Sequence, residues 1–187
     1  MNLFQRLFTR QPDPRQALLP AYQAIVARGR APDWYLEGVP DTLDGRFEMI
    51  AAVLAHVLLR LEAEPDRALP SVQLTELFVN DMDSQLRLIG TGDLVVGKQV
   101  GKMMSALGGR LTVYRDAAGG AAAVQAILLR NLWAGESDEG LATATSAASK
   151  AATRLAAFAA GLRTLSADDI IGGTLPEVAG PVAPVEP

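Results

Sequence analysis

The chain has 187 residues, of which 49% are hydrophobic and 5% aromatic, so it is long and apolar enough to bury one hydrophobic core. Its net charge of −4 argues against a nucleic-acid binder that works through a basic surface. The lack of cysteine excludes disulfides, thiolate metal sites and cysteine nucleophiles, and a single histidine excludes a zinc site built from several histidines.

Residues 1–12 have the pattern of a short amphipathic helix. Apolar side chains recur there at helical spacing, with arginines between them: Leu3, Phe4, Leu7 and Phe8. Such a helix can lie on an anionic membrane surface, which makes these four residues candidates for membrane contact. Packing of the segment on the protein core is the alternative. We find no signal-peptide pattern and no stretch apolar enough to span a bilayer. We therefore expect a cytoplasmic protein. Peripheral binding to the inner face of the cytoplasmic membrane is compatible with this expectation.

Helical periodicity predicts one compact all-α domain over residues 13–165, with six or seven helices and no convincing strand pattern. The predicted helices cover residues 14–29, 41–61, 71–89, 94–114, 121–133 and 138–165. The pair Gly108 and Gly109 is a point at which the fourth helix can break. An irregular link is expected between the first two helices, and residues 166–187, which are rich in proline, are predicted to form a largely disordered tail.

The helix over residues 41–61 has the clearest pattern. Asp41 and Asp44 have the spacing of a capping box at its start. Both of its sides are largely apolar, which predicts that it is central in the bundle. Ser71 has the residue type of an N-cap for the next helix.

Gly92, Gly97 and Lys98 have the spacing of a phosphate-binding P-loop. However, a helix precedes them, and Gln99 stands where the motif needs serine or threonine to hold magnesium. We instead interpret the stretch as a turn between two helices, with Asp93 capping the second. No nucleotide is expected. Gly97 and Gly101 then form a flat strip on which another backbone can pack closely.

Acidic residues at 81 and 83 resemble a metal motif, but on a helix Asp81 and Asp83 point about 200° apart and cannot bind one ion together. Asp83 and Arg87 have the spacing of an exposed ion pair. Asp81 lies within an apolar stripe, and a buried carboxylate needs partners. We predict that it pairs with an arginine from another helix, with Arg46 as the first choice, or that it caps backbone N–H groups. An anchor for a partner protein is the alternative.

His56 lies on the back face of its helix without a second histidine or a nucleophile nearby in the pattern, which favours a structural role. Trp34, Tyr35 and Trp133 are as compatible with the core as with an interface. We find no nucleophile–base pair, metal cluster or phosphate cradle. No catalytic residue, metal or cofactor is therefore expected.

Four blocks of sequence, in this order, resemble the ubiquinol–cytochrome c chaperone family. They are "YQAIVARGRAPDWY" (22–35), "GVPDTLDGRFEMI" (38–50), "DMDSQLRLIGTGDLVVGKQVGKMMSALGGRLTVY" (81–114) and "LLRNLW" (128–133). The resemblance implies an all-α assembly factor rather than an enzyme. Mitochondrial members bind newly made cytochrome b, with a small partner at the ribosome, and help to deliver it into respiratory complex III. The short start of this chain and its alanine-rich composition favour a bacterial member, which leaves the ribosome and the small partner open.

The resemblance therefore implies cytochrome b, or another respiratory-complex subunit, as the partner. Charged residues of the family blocks are the candidate partner-binding residues: Asp41, Asp44, Arg46, Asp81, Asp83, Arg87 and Asp93. The Gly97/Gly101 strip with Met103 and Met104 is a second candidate surface, although ordinary helix packing also explains it. Two other functions remain open: a helical adaptor with a different client, and an enzyme with an acid site built from Asp41, Asp44 and Asp81.

Overall fold

The computed structural model describes residues 13–88, 90, 92–116 and 120–178, and these residues form helices and connecting turns without a strand. In chain order the elements are α1 (Leu19–Gly29), α2 (Pro32–Leu36), α3 (Leu43–Glu62), α4 (Ala68–Leu88), α5 (Asp93–Asp116), α6 (Ala121–Leu132), α7 (Asp138–Leu162) and α8 (Ala167–Ile171), with 3-10 turns at Pro14–Leu18 and Pro65–Arg67. The predicted all-α fold is confirmed. Residues 1–12, with the candidate membrane contacts Leu3, Phe4, Leu7 and Phe8, lie outside the described residues.

Helix α3 is the centre of the bundle, as its apolar pattern predicts. Every residue from Phe47 to Leu58 is buried, and α1, α4, α5, α6 and α7 all pack against the helix. The predicted capping box is wrong, because the N-cap is Thr42, whose hydroxyl accepts a hydrogen bond from the Gly45 amide at 3.1 Å. The Asp41 side chain is engaged by Arg46 instead.

Two helix starts also differ from the prediction. Helix α4 begins at Ala68, directly after a 3-10 turn, so Ser71 is not its N-cap. Ser71 is buried one turn inside the helix and donates a hydrogen bond to the Arg67 carbonyl. The expected irregular link contains α2, whose Trp34 side chain is buried and donates to the Arg28 carbonyl at 2.8 Å. Trp34 thereby holds α2 against the end of α1.

Helix α5 continues without a break through Gly108 and Gly109. Leu107, Arg110 and Tyr114 on its inner face are buried on both sides of the glycine pair. These contacts hold the helix straight where its backbone is intrinsically weakest. The first turns of α5 contain Gly97 and Lys98 and follow another helix, as we predicted in place of a P-loop. Asp93 is not the predicted cap but the first residue of α5, because the Gly92 carbonyl accepts the first helical hydrogen bond, from the Val96 amide at 3.0 Å.

The C-terminal part of the chain is more ordered than we predicted. The expectation of a tail is wrong for residues 166–178: Ser166 and Asp169 form a capping box at the start of α8, and the following segment is buried at Leu175 and Val178. Two arginines from distant helices hold this segment by its carbonyl groups. Arg28 donates to the Pro176 carbonyl at 2.8 Å, and Arg154 donates to the Val178 carbonyl at 2.8 Å. Residues 179–187 lie outside the described residues.

Candidate functional site

Three of the candidate partner-binding residues meet at the turn between α4 and α5. Arg87 donates a hydrogen bond to Asp83 at 2.6 Å, one turn before it on α4, and also contacts Asp93 at the start of α5. We call Asp83, Arg87 and Asp93 the charged corner. The predicted Asp83–Arg87 pair is therefore present, and Arg87 binds Asp93 in addition. The Arg87 side chain is 50% exposed, so this pairing leaves the corner accessible to a partner.

Asp41 and Arg46 form a second exposed pair at the start of α3. Their charged atoms lie 2.7 Å apart, and the hydrogen bond from Arg46 holds the pKa of Asp41 below its ordinary value. The pair lines a cleft of about 660 Å³ with Arg30, Tyr35 and other residues of the α1–α2 region. Leu36 lies at this cleft and is 83% exposed.

Asp81 does not bind Arg46, which corrects our prediction. Its carboxylate accepts hydrogen bonds from the Tyr22 hydroxyl at 2.7 Å and from the Gln85 amide at 2.9 Å. Burial and, next, the bond to Asp81 raise the pKa of Tyr22, so the phenol stays protonated and donates. Gln85 in turn accepts from Arg30 at 3.0 Å, which connects Asp81 to the cleft that Arg46 lines. Asp81 therefore has the partner from another helix that we expected, but this partner belongs to α1 rather than to α3.

Asp44 stands apart from the other candidates. It is exposed in the first turn of α3 and lines a cleft of about 410 Å³ that also contains Lys102 and Arg110. Asp41 lines a different cleft, and Asp81 is bound by Tyr22 and Gln85. The structure therefore does not bring these three carboxylates together into the acid site that an enzyme hypothesis needs. Within the described residues, no group of three or more acidic or histidine side chains is placed to hold a metal ion.

A buried polar cluster between α3, α5 and α6 was not predicted from the sequence. Arg110 donates to Glu48 through Nε at 2.8 Å and through a second nitrogen, while Asn131 donates to Glu48 at 3.1 Å. Burial lowers the pKa of Arg110 to about 10, which leaves its guanidinium charged at neutral pH. The signal was present in the sequence, because Glu48 and Arg110 each lie within an otherwise apolar helix face.

The outer face of α5 presents glycine instead of larger side chains. Gly97, Gly101 and Gly108 share one side of the helix and are exposed, and we call them the glycine face. A β-carbon added at any of the three would have no neighbouring atom within 4 Å. The predicted close packing of another backbone on Gly97 and Gly101 therefore does not occur within the described chain. Lys98 and Lys102 are exposed beside them.

Comparison with known proteins places the chain among assembly factors. The family model described as Ubiquinol-cytochrome C chaperone matches residues 37–176. The crystal structure of the Cbp3 homolog from Brucella abortus is similar to this chain with a TM-score of 0.71 and 28% sequence identity, covering 94% of this chain and 98% of that one. No curated protein matches the sequence. Among the helices that the structure describes, none is long and apolar enough to cross a membrane.

Proposed function

Because the chain belongs to the ubiquinol–cytochrome c chaperone family, we propose that it binds cytochrome b and assists its assembly into the cytochrome bc complex. The observation that carries this proposal is the family match, which begins directly after α2, runs to the segment after α8 and so includes helices α3 to α8. The likeness to the Cbp3 homolog, which extends over 94% of this chain, supports the same function.

We propose that the protein acts by binding rather than by catalysis. Four of the five candidate carboxylates support this, because each is paired with a neighbouring side chain: Asp41, Asp81, Asp83 and Asp93. Asp41 is bound by Arg46, Asp81 by Tyr22, and Asp83 by Arg87. The hydrogen bond from Arg46 holds the pKa of Asp41 below its ordinary value, which does not favour this carboxyl group as a general acid near neutral pH.

The charged corner and the glycine face form the client-binding surface in this proposal. Asp93 belongs to the corner and lies one helical turn before Gly97, so the two surfaces are continuous along α5. Glycine in a helix costs about 1 kcal/mol relative to alanine, and no contact within the described chain offsets that cost at Gly97 or Gly101. Small residues spaced four apart allow a second helix to approach closely, which suits the apolar helices of a membrane subunit.

Two methionines extend this surface on either side of α5. Met103 lines the cleft that contains Asp44, and Met104 lines a groove between α4 and α5, and both side chains are half-buried. Methionine adapts its shape to different apolar partners, which favours transient contact with client helices. In the same proposal, Leu3, Phe4, Leu7 and Phe8 keep the protein at the membrane where the client is inserted.

Photocrosslinking in cells tests the client and the surface together. A photoreactive amino acid is placed at Arg87 in the corner, at Lys98 beside the glycine face, or at Ala157, an exposed control position on α7. We expect capture of cytochrome b from the first two positions and not from the third. Capture of soluble proteins alone, with cytochrome b expressed, would favour the adaptor hypothesis. Deletion of the gene is expected to lower the level of cytochrome b, and an unchanged level would contradict the proposal.

A further inference from the structure

A cleft of about 420 Å³ opens between α3, the C-terminal end of α5 and α7, away from the charged corner. Two almost fully buried polar side chains line it, His56 with 5% and Tyr114 with 2% of their surface exposed. Neither Nε2 of His56 nor the hydroxyl of Tyr114 has a hydrogen-bond partner among the described residues. An unpaired polar group is costly to bury, so two in one cleft indicate a ligand that satisfies both.

The contacts of His56 determine what its free nitrogen can bind. Nδ1 lies 2.8 Å from the carbonyl oxygen of Ala52 on the same helix. A carbonyl oxygen only accepts, so Nδ1 carries the proton and donates it. Burial lowers the pKa of His56, and the ring is therefore neutral at pH 7. Nε2 is then a bare acceptor, on the edge of the ring that faces away from the backbone of α3.

Tyr114 complements this acceptor. Its ring centre lies 4.7 Å from that of His56, and burial raises the pKa of its hydroxyl to about 12. The hydroxyl is thus protonated at neutral pH and can both donate and accept. A single ligand hydroxyl can donate to Nε2 of His56 and accept from Tyr114. An unprotonated phosphate or carboxylate oxygen cannot donate to Nε2, so the inner end of the ligand is a hydrogen-bond donor, and a hydroxyl fits because it also accepts from Tyr114.

Positive charge surrounds the same cleft. Three arginines line it, against one carboxylate, and they are Arg60, Arg115 and Arg163. Arg60 donates to the carbonyl groups of Leu162 and Leu165 and pairs with Glu64 at 2.8 Å, and Arg115 pairs with the lining carboxylate, Glu62, at 2.6 Å. Arg163 follows α7 and is exposed. Guanidinium groups bind phosphate through paired hydrogen bonds, so the outer end of the ligand is an anion of that kind.

We propose that this cleft binds a phosphate-bearing polyol, of which glycerol phosphate is the smallest example. Its hydroxyls reach His56 and Tyr114, and its phosphate lies among the arginines. The volume of about 420 Å³ lies within the usual range of small-molecule sites, roughly 300–1,000 Å³. The same chemistry is available from a soluble phosphate ester and from the headgroup of phosphatidylglycerol. The proposal does not depend on the identity of the client.

Calorimetric titration of the full chain with sn-glycerol 3-phosphate tests the site. Propyl phosphate is the matched control, because it keeps the phosphate and the carbon chain but lacks the hydroxyls. We expect one glycerol phosphate per chain and at least about tenfold weaker binding of propyl phosphate, since Nε2 of His56 would stay unpaired. Equal binding of the two compounds would overturn the assignment of the hydroxyl to His56 and Tyr114.

Three variants identify the residues that carry the binding. Tyr114→Phe removes only a hydroxyl that is already unpaired, so the fold should be retained, which thermal melting checks. We expect Tyr114→Phe and Arg163→Gln each to weaken the binding of glycerol phosphate about tenfold. Lys150→Gln removes an exposed charge elsewhere on α7 and should leave binding unchanged. Wild-type affinity in both Tyr114→Phe and Arg163→Gln would overturn the proposal.

Vesicle flotation separates the two sources of the ligand. Vesicles of phosphatidylcholine with phosphatidylglycerol are compared with phosphatidylcholine alone, for the wild type and for Tyr114→Phe. Binding to phosphatidylglycerol that the variant loses supports the site with a lipid headgroup as the ligand. Binding of the free ester without binding to these vesicles supports the site with a soluble ligand. Binding of neither would overturn the proposal.

Discussion

The two faces of α5 differ in how far contacts within the protein explain their residues. On the inner face, Val96, Leu107, Arg110 and Tyr114 are buried against the bundle. On the outer face, Gly97, Gly101 and Gly108 are exposed, and none of the residues that the structure describes packs on them. Contacts within the chain explain the residue types of the inner face. They do not explain those of the outer face, which points to a partner.

Gly29 shows what a structurally required glycine looks like in the same protein. A β-carbon on Gly29 would lie 2.6 Å from the Cα of Ile50, because α1 approaches α3 most closely there. That glycine serves the packing of the chain. Gly97 and Gly101 lack any such neighbour, so the same residue type has a different cause on α5.

Among the substitutions considered, the largest effect on stability is expected from one on the inner face of α5. Arg110→Met leaves the Glu48 carboxylate buried without its cation, so we expect unfolding free energy to fall by about 3–5 kcal/mol. Urea denaturation measures this loss. The double variant Glu48→Leu/Arg110→Met should lose less unfolding free energy, because it leaves no buried charge without a partner. A single variant as stable as the double would show that the pair does not stabilise the inner face.

Burial of His56 should make the stability of the protein depend on pH. Burial lowers the pKa of His56 below its ordinary value of 6.5, so below pH 6.5 the unfolded chain takes up a proton that the folded chain does not. Stability should therefore fall as pH falls from 6.5, with a slope of at most about 1.4 kcal/mol per pH unit. Urea denaturation from pH 7.5 to 5.5 measures the slope, and His56→Leu should flatten it. The same slope in the variant would assign the effect to other groups.

Substitutions on the glycine face should have the opposite sign to those in the core. Gly97→Ala and Gly101→Ala should each raise the unfolding free energy by about 1 kcal/mol, because alanine favours a helix and meets no neighbour. The double variant should capture less cytochrome b, since the added methyl groups keep a second helix away. Gly29→Ala is the matched control and should destabilise the protein through its clash with Ile50. Unchanged capture would remove the glycine face from the client surface.

The smallest effect on stability is expected at the charged corner. Arg87→Gln breaks exposed pairs with Asp83 and Asp93, and such pairs contribute only a few tenths of a kcal/mol. Urea denaturation should therefore change little, while crosslinking to cytochrome b from Lys98 should weaken. A large loss of stability would show that the charged corner stabilises the fold rather than serving as a binding surface.

Much of the fold was predictable because helical periodicity is a local property. The long helices were placed within a few residues, and the Asp83–Arg87 pair followed from their spacing on one helix. The Glu48–Arg110 pair was missed, because 62 positions separate the two residues along the chain. The predicted partner of Asp81 was wrong for a related reason, since the true partner depends on how α1 packs against α4.

The C-terminal segment is a second case in which contacts between residues far apart in the chain could not be predicted. The sequence after α8 has no helical period, so nothing local indicates order there. The spacing of Ser166 and Asp169 is a local capping-box signal that we missed. Arg28 and Arg154 hold the carbonyl groups of the segment from distant helices, over separations of 148 and 24 positions.

The sequence by itself determined the helices, the central position of α3 and the family resemblance, because these depend on residue types at fixed local spacings. Tertiary structure alone decided which charges are paired, which glycines stay exposed, and that His56 and Tyr114 share one cleft. Those features depend on the packing of segments far apart in the chain, and a pattern within one helix carries no information about its neighbour.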